Sequence, residues 1–354
     1  MNVLERVSNH YVPKFYLRNF STNKKNIGAF FLEKNLYIPN TSIKSQACQD
    51  YLYGEDGSIE EMFSKLEGQA AQIIKQIIET QSVPDRNSEE HHLLLLFMLL
   101  SEARNLKSAD SISNLIDTQM KVILKMKLEH GQLPDVSHET LEKTSFSHEI
   151  PNLLPIQSTI KIYPVLLDLN CCLIINKTDR QFITSDNPLV RYNLMYIRRN
   201  YHLRGYGLGN MGIQLFFPIS PNLCICIFDH ILYDCSVDTN GNIIVNRGKQ
   251  IDELNKLVYL NSYKTLFFNE RTKESYIKKI ISNVRHTTTE IKNEITVLGD
   301  RDKKLILYSQ RKVDQRINLA MFSINKEFVN MPLPLHMGGP MRPHGMEMLE
   351  NEEK

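Results

Sequence analysis

The pattern of apolar positions along the chain predicts helices in its first half. Between residues 59 and 79, apolar side chains recur at every third or fourth position, which predicts one long amphipathic helix. Residues 88–108 are apolar on nearly every side, so we expect a second helix that is buried between other elements. A third helical stretch is expected at about 110–129. The N-terminal half is therefore predicted to be mainly helical.

After residue 156 the dominant pattern is that of β-strands, with short apolar runs bounded by turn signals. The predicted strands have the sequences NCCLIIN, RQFITSD, GIQLFFPIS, LCICIF, GNIIVN and, later, KLILYS. Helices are expected at 250–261 and at about 273–295. We therefore predict an α+β fold in which a helical N-terminal half packs on a mainly antiparallel β-sheet, with further helices towards the C-terminus.

Proline and glycine residues divide the sequence into four predicted segments. Residues 131–156 contain one glycine and three prolines among polar residues, which is typical of a connecting loop. This loop separates residues 1–130, an N-terminal segment with the helical region, from the mainly β region at 157–329. Residues 330–354 combine Pro, Gly and Met with a final acidic run, so we expect a disordered tail.

The overall composition excludes several classes of protein. In 354 residues, 42 Lys and Arg stand against 40 Asp and Glu, so no global positive field indicates a nucleic-acid or membrane partner. The longest apolar run, residues 93–100, is much shorter than the roughly 20 residues that span a bilayer. The N-terminus has no apolar signal-peptide core. We therefore expect a soluble cytoplasmic protein without a membrane partner.

The six cysteines do not show the spacing of a metal-thiolate site. No C-x-x-C pair and no zinc-finger arrangement of Cys and His is present. Cys224 and Cys226 alternate within an apolar strand, where both side chains point to one face. We expect these cysteines to be buried reduced thiols.

Glu60 and Glu67 in the first helix are candidate catalytic or metal-binding carboxylates. Positions seven apart in a helix differ by only about 20° in direction, so the two side chains lie on one line. This line borders the apolar stripe, where burial and neighbouring charges tune carboxylates for metal binding or proton transfer. Ordinary salt bridges at the rim of the stripe are the alternative interpretation.

Arg104 is unusual because it falls on an apolar line of the second predicted helix, with Leu93, Phe97 and Leu100. A guanidinium cannot lose its charge at neutral pH, so a buried arginine needs an acceptor. A carboxylate of the first helix, such as Glu67, is the natural candidate. The pair is either purely structural or part of a site that faces phosphate.

Two further motifs hold candidate catalytic residues. The strand RQFIT leads into Ser185, Asp186, Asn187 and Pro188, and carboxylates at strand ends often supply catalytic groups. The same four residues also make a good plain turn. Near the N-terminus, His10 lies beside a tyrosine and a proline, where an imidazole serves as a general base or metal ligand. A lone histidine is more often neither.

Residues 191–206 form a basic and aromatic segment, RYNLMYIRRNYHLRGY. It interleaves four arginines with four tyrosines and contains no acid, a combination that suits phosphates and stacked bases. A sheet-edge loop is the alternative interpretation. The candidate nucleic-acid-binding residues are Arg191, Arg198, Arg199, Tyr201 and Arg204.

Six stretches taken together resemble one bacterial family, the domain of unknown function family 4238. They are NHYVPKFYLRNFS at 9–21, the helix SIEEMFSKLEGQAAQII, Arg104, FITSDNP at 182–188, FFPISP at 216–221 and ELN at 253–255. The similarity covers roughly residues 9–270. Around Arg104 the sequence ARNLKSA departs from the arginine-threonine-proline motif of the family.

The resemblance implies where a site lies but not what it does. The residues that match the family's hallmark are His10, Tyr11, Pro13, Glu60, Glu67, Arg104, Ser185, Asp186, Asn187 and Asn255. Most are polar groups suited to a site. Members of the family resemble the cargo of mobile elements and antiviral defence more than metabolic enzymes, which is an analogy.

Two hypotheses follow from these residues. In the first, the protein is a hydrolase effector, most simply a nuclease that depends on Mg²⁺ or Mn²⁺. Its predicted catalytic residues are His10, Glu60, Glu67, Arg104, Asp186 and Asn187, and its predicted metal ligands are His10, Glu67 and Asp186. Arg104 and the basic segment would bind phosphate.

In the second hypothesis, the protein is a non-catalytic sensor or adaptor. The same polar residues would form a buried structural network, and the basic segment or the tail would bind a protein, a nucleic acid or a second copy of the chain. Under this hypothesis, replacing His10 or Asp186 by alanine lowers thermal stability.

Overall fold

The computed structural model describes residues 8–50, 52–53, 57–132, 136–198, 205–284, 293–298, 305–310, 317–332 and 340–352. The helices among these residues are α1 (Lys14–Arg18), α2 (Ser58–Thr80), α3 (Glu89–Ala103), α4 (Leu106–Glu129), α5 (His138–Lys143), α6 (Leu153–Ile162), α7 (Leu194–Arg198), α8 (Gly248–Asn261), α9 (Glu274–Ser282), α10 (Lys326–Val329) and α11 (Pro343–Glu352). Short 3₁₀ helices lie at Ile43–Ser45 and Tyr163–Leu166.

The strands connect residues that are far apart in the sequence. They are β1 (Ser8–His10), β2 (Asn26–Phe31), β3 (Leu36–Ser42), β4 (Cys48–Asp50), β5 (Asn170–Asn176), β6 (Thr184–Ser185), β7 (Val190–Tyr192), β8 (Gln214–Ser220), β9 (Leu223–Phe228), β10 (Tyr233–Asp234), β11 (Ile243–Val245), β12 (Thr265–Phe268), β13 (Asn293–Leu298), β14 (Leu305–Gln310) and β15 (Ser323–Ile324). Among the described pairs, only β11 with β5 is parallel. This arrangement confirms the predicted α+β fold.

The long helices lie where the apolar pattern predicts them, with one important difference at Arg104. Helix α2 buries the predicted stripe, which includes Phe63, Leu66 and Ile74. Helix α3 ends at Ala103 instead of continuing to residue 108, because Asn105 adopts an extended conformation and caps α4 by accepting a hydrogen bond from the Ser108 amide. No helix in the described part of the chain is long and apolar enough to cross a bilayer.

A five-stranded sheet in the order β11-β5-β9-β8-β7 separates two apolar layers. Because side chains alternate along a strand, Leu173 and Ile225 point into the layer that holds α2 and α3. Cys172 and Cys226 point into the opposite layer, with α8. All six cysteines are free, and Cys224 joins Cys226 on one face, as the sequence predicts.

The second sheet contains strands from both sides of residues 131–156, the predicted connecting loop. Its order is β3-β2-β12-β6, so β2 of the N-terminal segment pairs directly with β12, more than 200 residues later. Of the predicted strand RQFITSD, only Thr184 and Ser185 pair, as β6. The helix expected at 273–295 ends at Ser282, and residues 293–298 instead form β13 in a hairpin with β14.

The expectation of a disordered tail does not hold for residues 340–352. Helix α11 follows an isolated bridge between Asn210 and Met341. Arg342 is buried and binds the Asp168 carboxylate. An ion pair with a residue so distant in the sequence leaves no trace in local composition, which is why the Pro- and Met-rich pattern misled the prediction.

Candidate functional site

Arg104 lies at the end of α3 and is almost completely buried, with 1% of its surface exposed. Its Nη1 donates a hydrogen bond of 2.8 Å to Oε1 of Glu67, which confirms the predicted acceptor. The guanidinium carbon lies 4.7 Å from the ring centroid of Phe63, a cation–π contact. Tyr53 covers the same region, and its hydroxyl donates to the Arg104 carbonyl at 3.1 Å.

One edge of the Arg104 guanidinium has no hydrogen-bond partner among the residues that the structure describes. Nε and Nη2 are both buried, and neither has a hydrogen-bond acceptor among the described residues. The side-chain oxygen Oδ1 of Asn9 is also buried, and no donor reaches it from the described part of the chain. Each buried polar group left in this state costs about 1–3 kcal/mol, so such groups usually mark the position of a water molecule or ligand.

The HYVP segment places Asn9 and His10 on opposite sides of β1. Asn9 Nδ2 donates to Oε2 of Glu60 at 3.3 Å. His10 Nδ1 lies 3.1 Å from the carbonyl oxygen of Gln46. A carbonyl only accepts, so Nδ1 carries the hydrogen and Nε2 is the nitrogen that can take up a proton. Adjacent strand residues face opposite sides, which is why the two contacts diverge.

The imidazole of His10 is neutral at physiological pH. Burial, together with the positive charges of Lys14 and Arg104, lowers the pKa of His10 from 6.5 to about 4, against the opposing effect of the Gln46 hydrogen bond. His10 therefore acts as a neutral acceptor rather than as a cation.

Asp186 is a structural residue in this fold. Its carboxylate accepts hydrogen bonds from the backbone amides of Tyr263 at 2.8 Å, Lys264 at 2.6 Å and Thr265 at 3.0 Å, which fixes the entry to β12. Burial raises the pKa of Asp186, although these three hydrogen bonds act in the opposite direction. The alternative interpretation of the SDNP motif as a turn is therefore the one that the structure favours.

Asn187 connects the SDNP turn to the Arg104 region. Its Oδ1 accepts a hydrogen bond of 2.7 Å from Nδ2 of Asn105, and its own Nδ2 donates to the carbonyl of Asn261 at 3.1 Å. Asn152 then donates to the carbonyls of Ala103 and Asn105. A continuous polar network therefore holds the junction between α3 and α4.

The predicted metal ligands His10, Glu67 and Asp186 do not form a ligand set. Glu67 pairs with Arg104, His10 contacts the Gln46 carbonyl, and Asp186 faces three amides. Within the described ranges, no group of three His, Cys, Asp or Glu side chains is placed to hold a metal ion. Asp186 uses both carboxylate oxygens, and Glu67 uses Oε1, for hydrogen bonds to other protein groups, so in this arrangement the three residues do not form a ligand set for Mg²⁺ or Mn²⁺.

The basic segment is partly used for internal contacts. Arg191 on β7 binds the carboxylate of Glu102 on α3 through Nε at 2.9 Å and through Nη2. Arg198 donates to Asn318 Oδ1 at 2.9 Å and to the carbonyl of Phe322 at 3.2 Å. Both arginines are predicted nucleic-acid-binding residues, and in the structure both contact protein groups. Arg199, Tyr201 and Arg204 lie outside the described residues.

Sequence reasoning missed three residues that complete this region, Asn9, Tyr53 and Asn105. Asn105 carried a signal in the sequence, because asparagine is a favourable N-cap residue for the helix that follows it, here α4. Asn9 and Tyr53 carried none, because their contacts are with residues about 50 positions away.

A family model described as a protein of unknown function (DUF4238) matches residues 8–272. No curated protein and no solved structure matches the chain. The matched range contains every residue of the Arg104 region, from Asn9 to Asn187, and ends before the tail that carries Arg342.

Proposed function

We propose that this chain, which belongs to the family of proteins of unknown function DUF4238, is a sensor or effector protein that binds an anionic ligand. The proposal is based on the geometry at Arg104. The observation that carries this proposal is the free edge of a buried guanidinium. Nε and Nη2 of Arg104 are buried donors without an acceptor in the described structure.

The free edge of Arg104 has the shape that recognises two oxygens at once. Nε and Nη2 project in parallel from one side of the planar guanidinium, which matches a carboxylate or a phosphate in a bidentate pair. Glu67 occupies only Nη1, and 27% of its side chain is exposed, so water shares its negative charge. A bound anion would supply the two missing acceptors and neutralise the buried cation more completely.

The second orphan atom favours a phosphate ester over a simple carboxylate. Glu60 holds Asn9 and Glu67 holds Arg104, and the two glutamates lie on one line of α2, about 10 Å apart along its axis. The free oxygen of Asn9 needs a hydrogen-bond donor, whereas Arg104 needs acceptors. A phosphate ester that also bears hydroxyl groups offers both kinds of group.

Thermal denaturation in the presence of inorganic phosphate tests this proposal. Wild type should gain stability as phosphate is titrated at constant ionic strength, because a ligand that binds only the folded state stabilises it by mass action. Arg104→Lys keeps a charge beside Glu67 but loses the bidentate edge, so its phosphate affinity should fall at least about tenfold. Acetate and ribose 5-phosphate serve as the two comparison ligands.

Arg180→Lys is the matched control, since Arg180 is also an ion-paired arginine, bound to Asp252 on α8. Its phosphate affinity should equal that of wild type. An identical phosphate response in wild type and Arg104→Lys, or no response of wild type to any of the three anions, would contradict the proposal.

A metal-independent hydrolase is the second candidate, and the orientation of the His10 ring is the observation behind it. A neutral imidazole whose Nδ1 is fixed by a carbonyl leaves Nε2 available as a general base. Cleavage of RNA or DNA in the presence of EDTA that disappears in His10→Gln would support a phosphodiesterase. If neither wild type nor His10→Gln cleaves RNA or DNA, the hydrolase candidate is wrong and the sensor function is the one that this site supports.

We propose that this protein is cytoplasmic. All six cysteines are free thiols, including Cys172 and Cys226, which lie directly opposite each other on β5 and β9. Facing thiols of this kind are typical of reducing compartments. This supports an intracellular effector, in line with the resemblance to cargo of mobile elements and antiviral defence.

A further inference from the structure

Arg342 in the C-terminal segment uses every one of its hydrogen-bond donors. Nε and Nη2 bind the two oxygens of Asp168 at 2.7 Å and 3.0 Å. Nη1 donates to the carbonyls of Leu208 at 2.8 Å and Asn210 at 2.9 Å, and Nη2 also donates to the carbonyl of Val165 at 2.6 Å. Only 3% of the residue is exposed. These acceptors form a complete pocket for one guanidinium.

The backbone around Arg342 is bound as closely as its side chain. The Met211 amide donates to the Pro340 carbonyl at 2.9 Å, and the Arg342 amide donates to the Gly209 carbonyl at 2.8 Å. A Cβ at Gly345 would lie 3.1 Å from the Cα of Gly209, so the two backbones meet where a side chain would crowd them. The surface is shaped for this particular segment.

The pocket and the segment that fills it belong to different parts of the chain. All pocket residues, from Val165 to Met211, lie inside the range that matches the family, whereas residues 340–352 lie about 70 positions beyond its end. The segment is therefore an addition to the family body, bound as a peptide would be bound.

We propose that residues 163–168 and 207–211 form a receptor for an arginine-bearing peptide, and that residues 340–352 occupy it as a detachable latch that controls the Arg104 site. The receptor stands on the contacts of Arg342 alone. The control of Arg104 rests on the proposed function.

Two sets of contacts lead from the receptor to the α3–α4 junction. On one side, the loop that binds Arg342 begins at Tyr206, and the Tyr206 carbonyl accepts a hydrogen bond from Arg191. Arg191 in turn binds the carboxylate of Glu102, which lies two residues before Arg104. On the other side, the 3₁₀ helix Tyr163–Leu166 continues α6, and Asn152 at the start of α6 holds the carbonyls of Ala103 and Asn105. Release of the latch would loosen both supports of the junction.

Hydrogen exchange on the full-length chain tests the latch. In Arg342→Ala, the amides of residues 340–352 and 207–211 should exchange at least tenfold faster than in wild type, because the docked segment would be released. Exchange in β5 and β9 should not change. Arg271→Ala removes an exposed arginine and is the control, and Asp168→Asn is the second variant should Arg342→Ala fail to fold.

A synthetic peptide of residues 340–352 then tests the receptor in trans. It should bind full-length Arg342→Ala and restore slow exchange at 207–211, whereas a peptide with alanine in place of the arginine should not. Unchanged exchange of 340–352 in both variants, or failure of the peptide to bind, would overturn the proposal.

Phosphate titration of the same variants separates the two proposals. A shift of at least threefold in phosphate affinity between wild type and Arg342→Ala, reversed by the peptide, supports control of the Arg104 site. If the latch behaves as described and phosphate binds neither protein, the proposed function fails while the receptor stands. If phosphate binds both equally, the control of Arg104 is wrong.

Discussion

At the scale of single residues, Arg104 and Arg342, the two arginines buried within the described ranges, differ in how many of their N–H donors have an acceptor. Arg342 donates five hydrogen bonds to Asp168 and three backbone carbonyls. Arg104 is buried to the same degree but donates one, to Glu67, and otherwise stacks on Phe63. Since Arg342 shows that this fold can surround a guanidinium with acceptors, the edge of Arg104 that has no acceptor among the described residues supports the proposed anion site.

His10 should make stability depend on pH in a defined window. Its pKa is about 4 in the folded protein and 6.5 when unperturbed, so between these values the unfolded chain binds a proton that the folded chain does not. Stability is therefore fully present above pH 6.5 and is lost as the pH falls towards 4. For a half-buried ring, solvent screening reduces the effect to roughly 1–2 kcal/mol.

Urea unfolding at several pH values checks this prediction. His10→Gln preserves a donor for the Gln46 carbonyl but does not titrate. The difference in the free energy of unfolding between variant and wild type should therefore change by roughly 1–2 kcal/mol between pH 7 and pH 4.5. His130→Gln, at the exposed end of α4, serves as the control. Parallel pH profiles for wild type and His10→Gln would show that the ring titrates normally.

At the scale of elements, the junction between α3 and α4 shows where local pattern stops being informative. Apolar periodicity predicts one helix through residue 108, because the side chains of Arg104 and Asn105 do not interrupt the period. The helix ends because Asn105 is extended and caps α4, and distant partners hold it there. Its side chain donates to Asn187, and its carbonyl accepts from Asn152. The pairing of Arg104 with Glu67 was predictable because a buried charge demands an opposite charge on the neighbouring helix.

Asn105→Ala should destabilise the protein more than the loss of a cap alone. The change removes the acceptor for the Ser108 amide and the hydrogen bond to Asn187, a combined loss of about 2–3 kcal/mol in the free energy of unfolding. Ser137→Ala is the matched control, since Ser137 caps α5 through Thr140. Equal losses in the two variants, measured by chemical denaturation, would mean that the network contributes nothing beyond capping.

At the scale of the whole molecule, the sequence predicts the elements better than their pairing. The strands of the central sheet were found because their apolar runs are local, whereas the pairing of β2 with β12 depends on residues more than 200 positions apart. For the same reason the sequence does not indicate the hydrogen bonds of Asp186, since the backbone amides that bind it carry no local signature. The local pattern of apolar and polar residues carries no information about which distant segments pair with each other.

The shared sheet implies that the segments on the two sides of residues 131–156 unfold together. Gly28 on β2 pairs with Phe268 on β12, and a Cβ at position 28 would overlap the Phe268 ring, which Tyr37 holds in a stack at 5.4 Å. Gly28→Ala should therefore cost about 1–3 kcal/mol through overpacking and lower the temperature of one calorimetric transition as a whole. Gly68→Ala, in open space on α2, should leave that transition unchanged or raise it. Two transitions, of which Gly28→Ala moves only one, would instead make the N-terminal segment an independent domain.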